Sequence, residues 1–286
     1  MPILSNILRK ISNCLDRRRD RSLLAKYRQN FFTLGQIAPI IRQNRDTLSL
    51  IPHWISDEVY DASVFQYGVP APLKHLLDKS IGPEATYTDA ICFLQSRLTS
   101  PVQYLELGVS VGKNFFQIAS FFANSTLTGF DIEEINPVLE AQFSEGTTDD
   151  RWTTKDGSMK KGESSLKSYR HKTNRVRYLS GDIFDEGAWA RLAGEKFNVI
   201  FSDAFHSPDA LRIEYEMLKR HDLINREQFI MMWDDLGGKM TGEFLHIYDD
   251  MRSEYGLTGS SLALNTYQGW MGEGVPKHMI GIICKL

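Results

Sequence analysis

The chain has 286 residues, a net charge of −3 and 42% apolar residues. That bounds it to a folded protein with one large domain and room for an extra segment, and it excludes a globally basic nucleic-acid binder. Cys14, Cys92 and Cys284 are widely spaced and form no CxxC pair, which argues against a zinc site or a disulfide framework and for a reducing, cytoplasmic setting. No apolar run reaches the roughly 18 residues of a membrane span, and the N-terminus has no clean signal-peptide core.

Residues 1–98 read as a helical segment, because they lack the alternating β-branched runs of strands. Ile3, Leu4, Ile7, Leu8, Ile11 and Leu15 recur at helical spacing. Over residues 9–28, eight Lys and Arg stand against only Asp16 and Asp20. A basic amphipathic helix of this kind suits an anionic membrane surface, a partner subunit in a homo-oligomer, or the domain itself. Residues 88–98 are predicted as a helix with a threonine N-cap.

From residue 99 the pattern changes to short apolar strands alternating with helices. Strands are predicted over 103–107, 126–130, 176–179, 197–201 and 229–233, and helices over 113–122, 209–220 and 241–255. An antiparallel pair, 261–266 and 278–285, closes the chain. Repeated strand–helix units require a parallel sheet covered on both faces. The expected fold is thus an α/β Rossmann-like doubly wound sheet of seven strands, the last antiparallel. A stretch at about 141–174, rich in Ser, Thr, Gly, Asp and Lys, interrupts the rhythm. It reads as a polar insertion, either a flap over a ligand or a solvated loop.

The sharpest segment is Tyr104-Leu-Glu106-Leu-Gly108-Val-Ser110-Val-Gly112-Lys113, a strand running into a glycine-spaced turn and a helix. Gly108 and Gly112 let backbone approach a ligand that a Cβ would block. Its G-x-x-x-G spacing differs from the dinucleotide fingerprint G-x-G-x-x-G. Glu106 would repel a pyrophosphate but pair with an amino group. Strand two ends at Asp131, placed to accept ribose hydroxyls, and strand three at Ser180-Gly181-Asp182, where a carboxylate can meet an adenine amino group. Each acid alone also suits an ordinary turn.

Together these elements, over about residues 84–286, resemble the class I S-adenosylmethionine-dependent methyltransferases. The resemblance implies S-adenosylmethionine as cofactor. It implies that Glu106, Gly108, Ser110 and Gly112 cradle its methionine part, that Asp131 holds the ribose and that Asp182 meets the adenine.

Strand four ends Ser202-Asp203-Ala-Phe-His206 and strand five ends Trp233-Asp234-Asp235. Neighbouring parallel strands deliver these ends to one sheet edge, where three carboxylates repel one another unless a cation neutralises them. Oxygen ligands of this kind suit Mg²⁺, or Mn²⁺ by substitution. As helix caps, Asp234 and Asp235 would instead be structural. The arrangement resembles the metal-dependent O-methyltransferases that act on catechols and on macrolide sugars. The catechol type carries Lys where this chain has His206 and Asn where it has Asp235, so the resemblance is to the macrolide-sugar type. It implies Asp203, Asp234 and Asp235 as metal ligands, Asp203 also beside the cofactor, and His206 as general base. The acceptor expected is a small hydroxylated molecule, first a sugar of a natural product or a saccharide precursor, with no nucleic-acid partner. Alternatives are a metal-independent N- or O-methyltransferase, an NAD-dependent oxidoreductase and a non-catalytic nucleoside-binding protein. His75, His221, His246 and His278 read as surface or packed histidines.

Overall fold

A computed structural model describes residues 16–55, 67–69, 71–144, 148–149, 164–271 and 277–286. The amphipathic repeat at residues 3–15 and residues 145–147 and 150–163 of the expected 141–174 insertion therefore lie outside the described residues, as do residues 272–276 before the last strand.

Among the described residues nine strands form one sheet: β1 (Gln103–Leu107), β2 (Thr126–Asp131), β3 (Thr148–Asp149), β4 (Ser165–His171), β5 (Asn174–Ser180), β6 (Val199–Ser202), β7 (Phe229–Trp233), β8 (Leu262–Tyr267) and β9 (His278–Lys285). Their order is β3-β4-β5-β2-β1-β6-β7-β9-β8. The central run β5-β2-β1-β6-β7 is parallel. β9 enters antiparallel between β7 and β8. The strand order reverses beside β1, the position at which open α/β sheets leave a crevice for a ligand.

The helices are α1 (residues 16–27), α2 (Leu34–Ser49), α3 (Tyr87–Gln95), α4 (Lys113–Phe121), α5 (Pro137–Glu140), α6 (Glu186–Ala190), α7 (Pro208–Arg220) and α8 (Lys239–Tyr255). No helix among the described residues is long and apolar enough to cross a membrane. Alternating strand residues feed two cores. Tyr104, Leu127, Phe201 and Met232 join Phe31, Trp54, Tyr87 and Ile91 of the N-terminal segment and Phe115 of α4 on one face. Leu105, Leu107, Phe130 and Trp233 join Trp189, Leu211 and Phe244 of α6, α7 and α8 on the other. α2 and α3 therefore help complete one face of the same sheet, while Leu23, Leu24 and Tyr27 of α1 pack on the core of the other.

Two expectations are corrected. Among the described residues the sheet has nine strands, not seven, because the supposed polar insertion supplies two: the short β3, paired antiparallel with β4, and β4, paired antiparallel with β5 from Ser165↔Ser180 to His171↔Asn174. The β4 sequence, SLKSYRH, buries only Ser165, Leu166 and Tyr169. Polar residues suit a strand near a sheet edge, and they hide its period in the sequence. The helix expected from residue 88 instead begins at Tyr87, capped by Thr86. The Thr86 side chain accepts from Asp89 N, and Asp89 Oδ2 accepts from Thr86 N at 2.8 Å, a reciprocal capping box.

Candidate functional site

The turn after β1 is built on left-handed backbone: φ is +79° at Gly108, +57° at Ser110 and +92° at Gly112. Gly108 N donates to Phe130 O at 2.8 Å, tying the turn to the end of β2. A Cβ on Gly108 would lie 2.4 Å from the carbonyl oxygen of Asp203, so glycine is what lets the β6 end close on the turn. A Cβ on Gly112 would lie 2.4 Å from Leu139 Cδ2. Gly112 thus serves the packing of α5 and the start of α4.

Asp131 closes β2 and grips the same turn. Its Oδ2 accepts from Val109 N at 2.7 Å and Ser110 N at 2.8 Å, and its Oδ1 accepts from Glu133 N at 3.0 Å. Burial pushes its carboxyl up, while the backbone N–H groups work against that rise. Beside it opens a cavity of about 440 Å³ lined by Gly108, Ser110, Asp131, Asp182 and Asp203, with Tyr67 and Gly68 from the N-terminal segment. Its apolar lining includes Ile132, Phe184 and Phe205, which are 62%, 47% and 61% exposed. Phe184 and Phe205 meet edge to face at 6.2 Å. These apolar side chains at the mouth of a polar-floored cavity fit a flat heteroaromatic ligand.

Five of the seven residues expected at the cofactor therefore share one cavity. Glu106 and Gly112 are not in its lining. Glu106 is buried beneath the turn, where it accepts from Tyr104 Oη at 2.7 Å and Asn114 Nδ2 at 2.8 Å. Burial pushes its carboxyl well above the usual range. Lys113, also buried, turns to the backbone, donating to Leu77 O at 2.5 Å and Trp270 O at 3.3 Å. Burial pushes it down to about 8.

The acids after β6 and β7 gather with two histidines at the adjoining edge. His206 Nε2 lies 3.0 Å from Asp203 Oδ1, and its Nδ1 lies 3.4 Å from Asp235 Oδ2. His278 Nδ1 lies 2.8 Å from Asp234 Oδ2 and 3.1 Å from Asp235 Oδ1. Asp234, Asp235 and His278 each offer a ligand atom, all within 4.8 Å of one another. The hydrogen bond to Asp203 prevails over burial and pushes His206 up to about 9. Burial opposes charge on His278, but the hydrogen bonds to Asp234 and Asp235 outweigh it and push the imidazole up to about 11. Burial and then the Asp203 charge raise Asp234 to about 7. Asp235, bonded to His278, is held below the usual carboxylate range. As imidazolium groups, His206 and His278 would offset two of the three carboxylate charges.

Tyr87, which the sequence did not single out, and His278 complete the site; His278, expected as a surface or packed histidine, instead sits against Asp234 and Asp235. Tyr87 is fully buried, its ring 5.7 Å from that of His278, and its hydroxyl has no hydrogen-bond partner among the described residues. Burial and then the charges of Asp203 and Asp234 push that hydroxyl well up. An orphan O–H in a field of carboxylates is a place for a water or ligand oxygen. A second cavity, of about 580 Å³, begins at Asp235 and runs between α1 and the β8–β9 pair.

No protein-family model matches the chain, and no curated protein matches it. Solved structures do resemble it. The MycE methyltransferase from the mycinamycin biosynthetic pathway, in complex with Mg, SAH and mycinamycin VI, is 15% identical with a TM-score of 0.41. That match covers 69% of this chain and 47% of the other, so the chain spans about half of MycE's length. Human methyltransferase-like protein 13 in complex with SAH is 15% identical over 64% of this chain and 66% of its own, with a TM-score of 0.38. The CurJ carbon methyltransferase is 12% identical over 94% of this chain and 70% of its own, with a TM-score of 0.42.

Proposed function

We propose that the chain is an S-adenosylmethionine-dependent O-methyltransferase that acts on a hydroxyl of a small molecule with the help of Mg²⁺. One observation carries the reading: Asp203 lines the first cavity, Asp235 lines the second, and His206 is bonded to both. Two ligands held in these cavities would meet at an acid–imidazole cluster.

The first cavity suits the cofactor, which supplies a methyl group on a positively charged sulfur. Asp131 and Asp182 stand on its polar side for the ribose and adenine, and Phe184 and Phe205 offer ring faces. Tyr67 and Gly68 supply part of the wall, so the N-terminal segment, residues 1–98, serves as a cover for the site. Holding two reactants in line contributes much of such a rate, about 7–11 kcal/mol at the upper end.

Asp203, Asp234 and Asp235 offer the oxygen donors that suit Mg²⁺; the ligand atoms within 4.8 Å of one another are those of Asp234, Asp235 and His278, and the charges of Asp203 and Asp234 reach the unpartnered Tyr87 hydroxyl. When bound, the ion would lower the pKa of an acceptor hydroxyl. His206 is the group placed to take the proton. Its imidazole must first be neutral, and a cation held by the carboxylates would offset the charges that keep it protonated. A sugar hydroxyl on a natural product or saccharide precursor is the favoured acceptor.

A metal-independent reaction is the second reading. The close contacts of His206 and His278 favour it, since they can offset two of the three carboxylate charges. Methyl transfer from labelled S-adenosylmethionine to a panel of hydroxylated acceptors, with EDTA and then with Mg²⁺, tests both. Turnover lost with EDTA and restored by Mg²⁺ supports the first. Turnover indifferent to EDTA supports the second.

A further inference from the structure

We propose that the groove between α1 and the β8–β9 pair binds the acceptor and selects one that carries a phosphate group, held by Arg17 and Arg21; this rests on the methyltransferase reading above. The groove, about 580 Å³, falls in the range of small-molecule sites. One end is Asp235 of the acid cluster, and its lining also includes Leu24, Leu236, Met279 and Lys277.

The charges on its walls are not balanced. Asp20 is committed to the start of α8, accepting from Gly238 N at 2.9 Å and Thr241 Oγ1 at 3.3 Å. Those bonds also fix α1 in place. Asp235 is committed to His206 and His278. Lys277 is paired with Glu84 at 2.6 Å. Arg17 and Arg21 are four residues apart, on one face of α1. Neither guanidinium meets a carboxylate among the described residues; Arg21 Nε donates only to Arg17 O, at 3.3 Å. Two unspent guanidinium groups over a part-apolar floor suit a phosphate ester, because each planar fork can donate two parallel hydrogen bonds to its oxygens. A phosphorylated acceptor anchored there would extend toward Asp235 with its uncharged part, which carries the hydroxyl.

The phosphate could belong to a soluble sugar phosphate or to a lipid headgroup. Calorimetry on the full chain, saturated with S-adenosylhomocysteine, uses glucose 1-phosphate against glucose in one arm and phosphatidylglycerol vesicles in the other. The variants are R17Q/R21Q and, keeping the charge, R17K/R21K. Glucose 1-phosphate should bind at least about tenfold more tightly than glucose, lose that margin in R17Q/R21Q and regain part of it in R17K/R21K. Binding confined to vesicles, with the same dependence on both arginines, upholds the phosphate site and assigns it to a lipid. Binding in either arm that ignores the arginines, or none in both, overturns it. S-Adenosylhomocysteine affinity is the separate control. If it is intact in wild type and variants while phosphate binding fails, this inference alone falls. If the wild type does not bind S-adenosylhomocysteine, the methyltransferase reading falls first.

Discussion

Gly108 and Asp203 meet backbone to backbone: a Cβ at position 108 would stand 2.4 Å from the Asp203 carbonyl oxygen. The contact fixes the turn after β1 against the end of β6, and both residues line the same cavity. Gly108→Ala would add left-handed strain of about 1–2 kcal/mol and overlap with backbone that cannot rotate aside. We expect a lower Tm and S-adenosylhomocysteine affinity reduced at least about tenfold in calorimetry, in keeping with a misplaced wall. Unchanged affinity would show that the turn does not shape the cofactor cavity.

Asp131 spends its Oδ2 on two backbone N–H groups of that turn. Asp131→Ala leaves both donors short of a partner, at a cost of about 1–3 kcal/mol. Urea unfolding should show that loss, and S-adenosylhomocysteine binding should weaken with it. A variant as stable as wild type would mean that water takes over the carboxylate's bonds.

His206 gives a pH dependence with a definite sign. Its pKa is raised from 6.5 to about 9 in the fold by Asp203 and Asp235, so the folded state holds a proton that the unfolded chain releases earlier. The stabilisation is fully present below pH 6.5 and fades as pH rises through about 9. Thermal melts in EDTA should therefore fall over that window more steeply for wild type than for His206→Gln. The imidazole is 41% exposed, so solvent screening keeps the difference small. Parallel curves would show that His206 gains nothing from its carboxylates.

Binding of Mg²⁺ should displace a proton. A cation held by the carboxylates competes with the charge on His206, so about one proton should leave on binding near pH 7.5. Calorimetric titration in two buffers of different ionisation enthalpy measures it. His206→Gln should abolish most of the release. Binding of Mg²⁺ with no proton released in wild type would separate the ion from this imidazole.

The acids at the ends of parallel strands were legible in the sequence. Asp131, Asp203 and the Asp234–Asp235 pair each follow an apolar run, and parallel strands carry such ends to one edge. His278 was not legible for the converse reason. It opens β9, and because β9 runs antiparallel to β7, with Trp233 opposite Gly281, the start of β9 reaches the edge where β7 ends. A closing antiparallel strand is thus a signal to examine at its first residue. Tyr87 comes from outside the sheet, and only the packing of α3 on it brings the hydroxyl to the acids. The β4 strand was hidden because its exposed positions are as polar as a loop.

A crystal structure grown with S-adenosylhomocysteine and Mn²⁺ tests the central claim most directly. The account predicts the adenosyl group in the cavity beside Gly108, Asp131 and Asp182, its sulfur turned toward Asp203 and His206, and anomalous density among Asp203, Asp234 and Asp235. A nucleoside bound elsewhere at saturating concentration, or these carboxylates pointing away from one another, would contradict it.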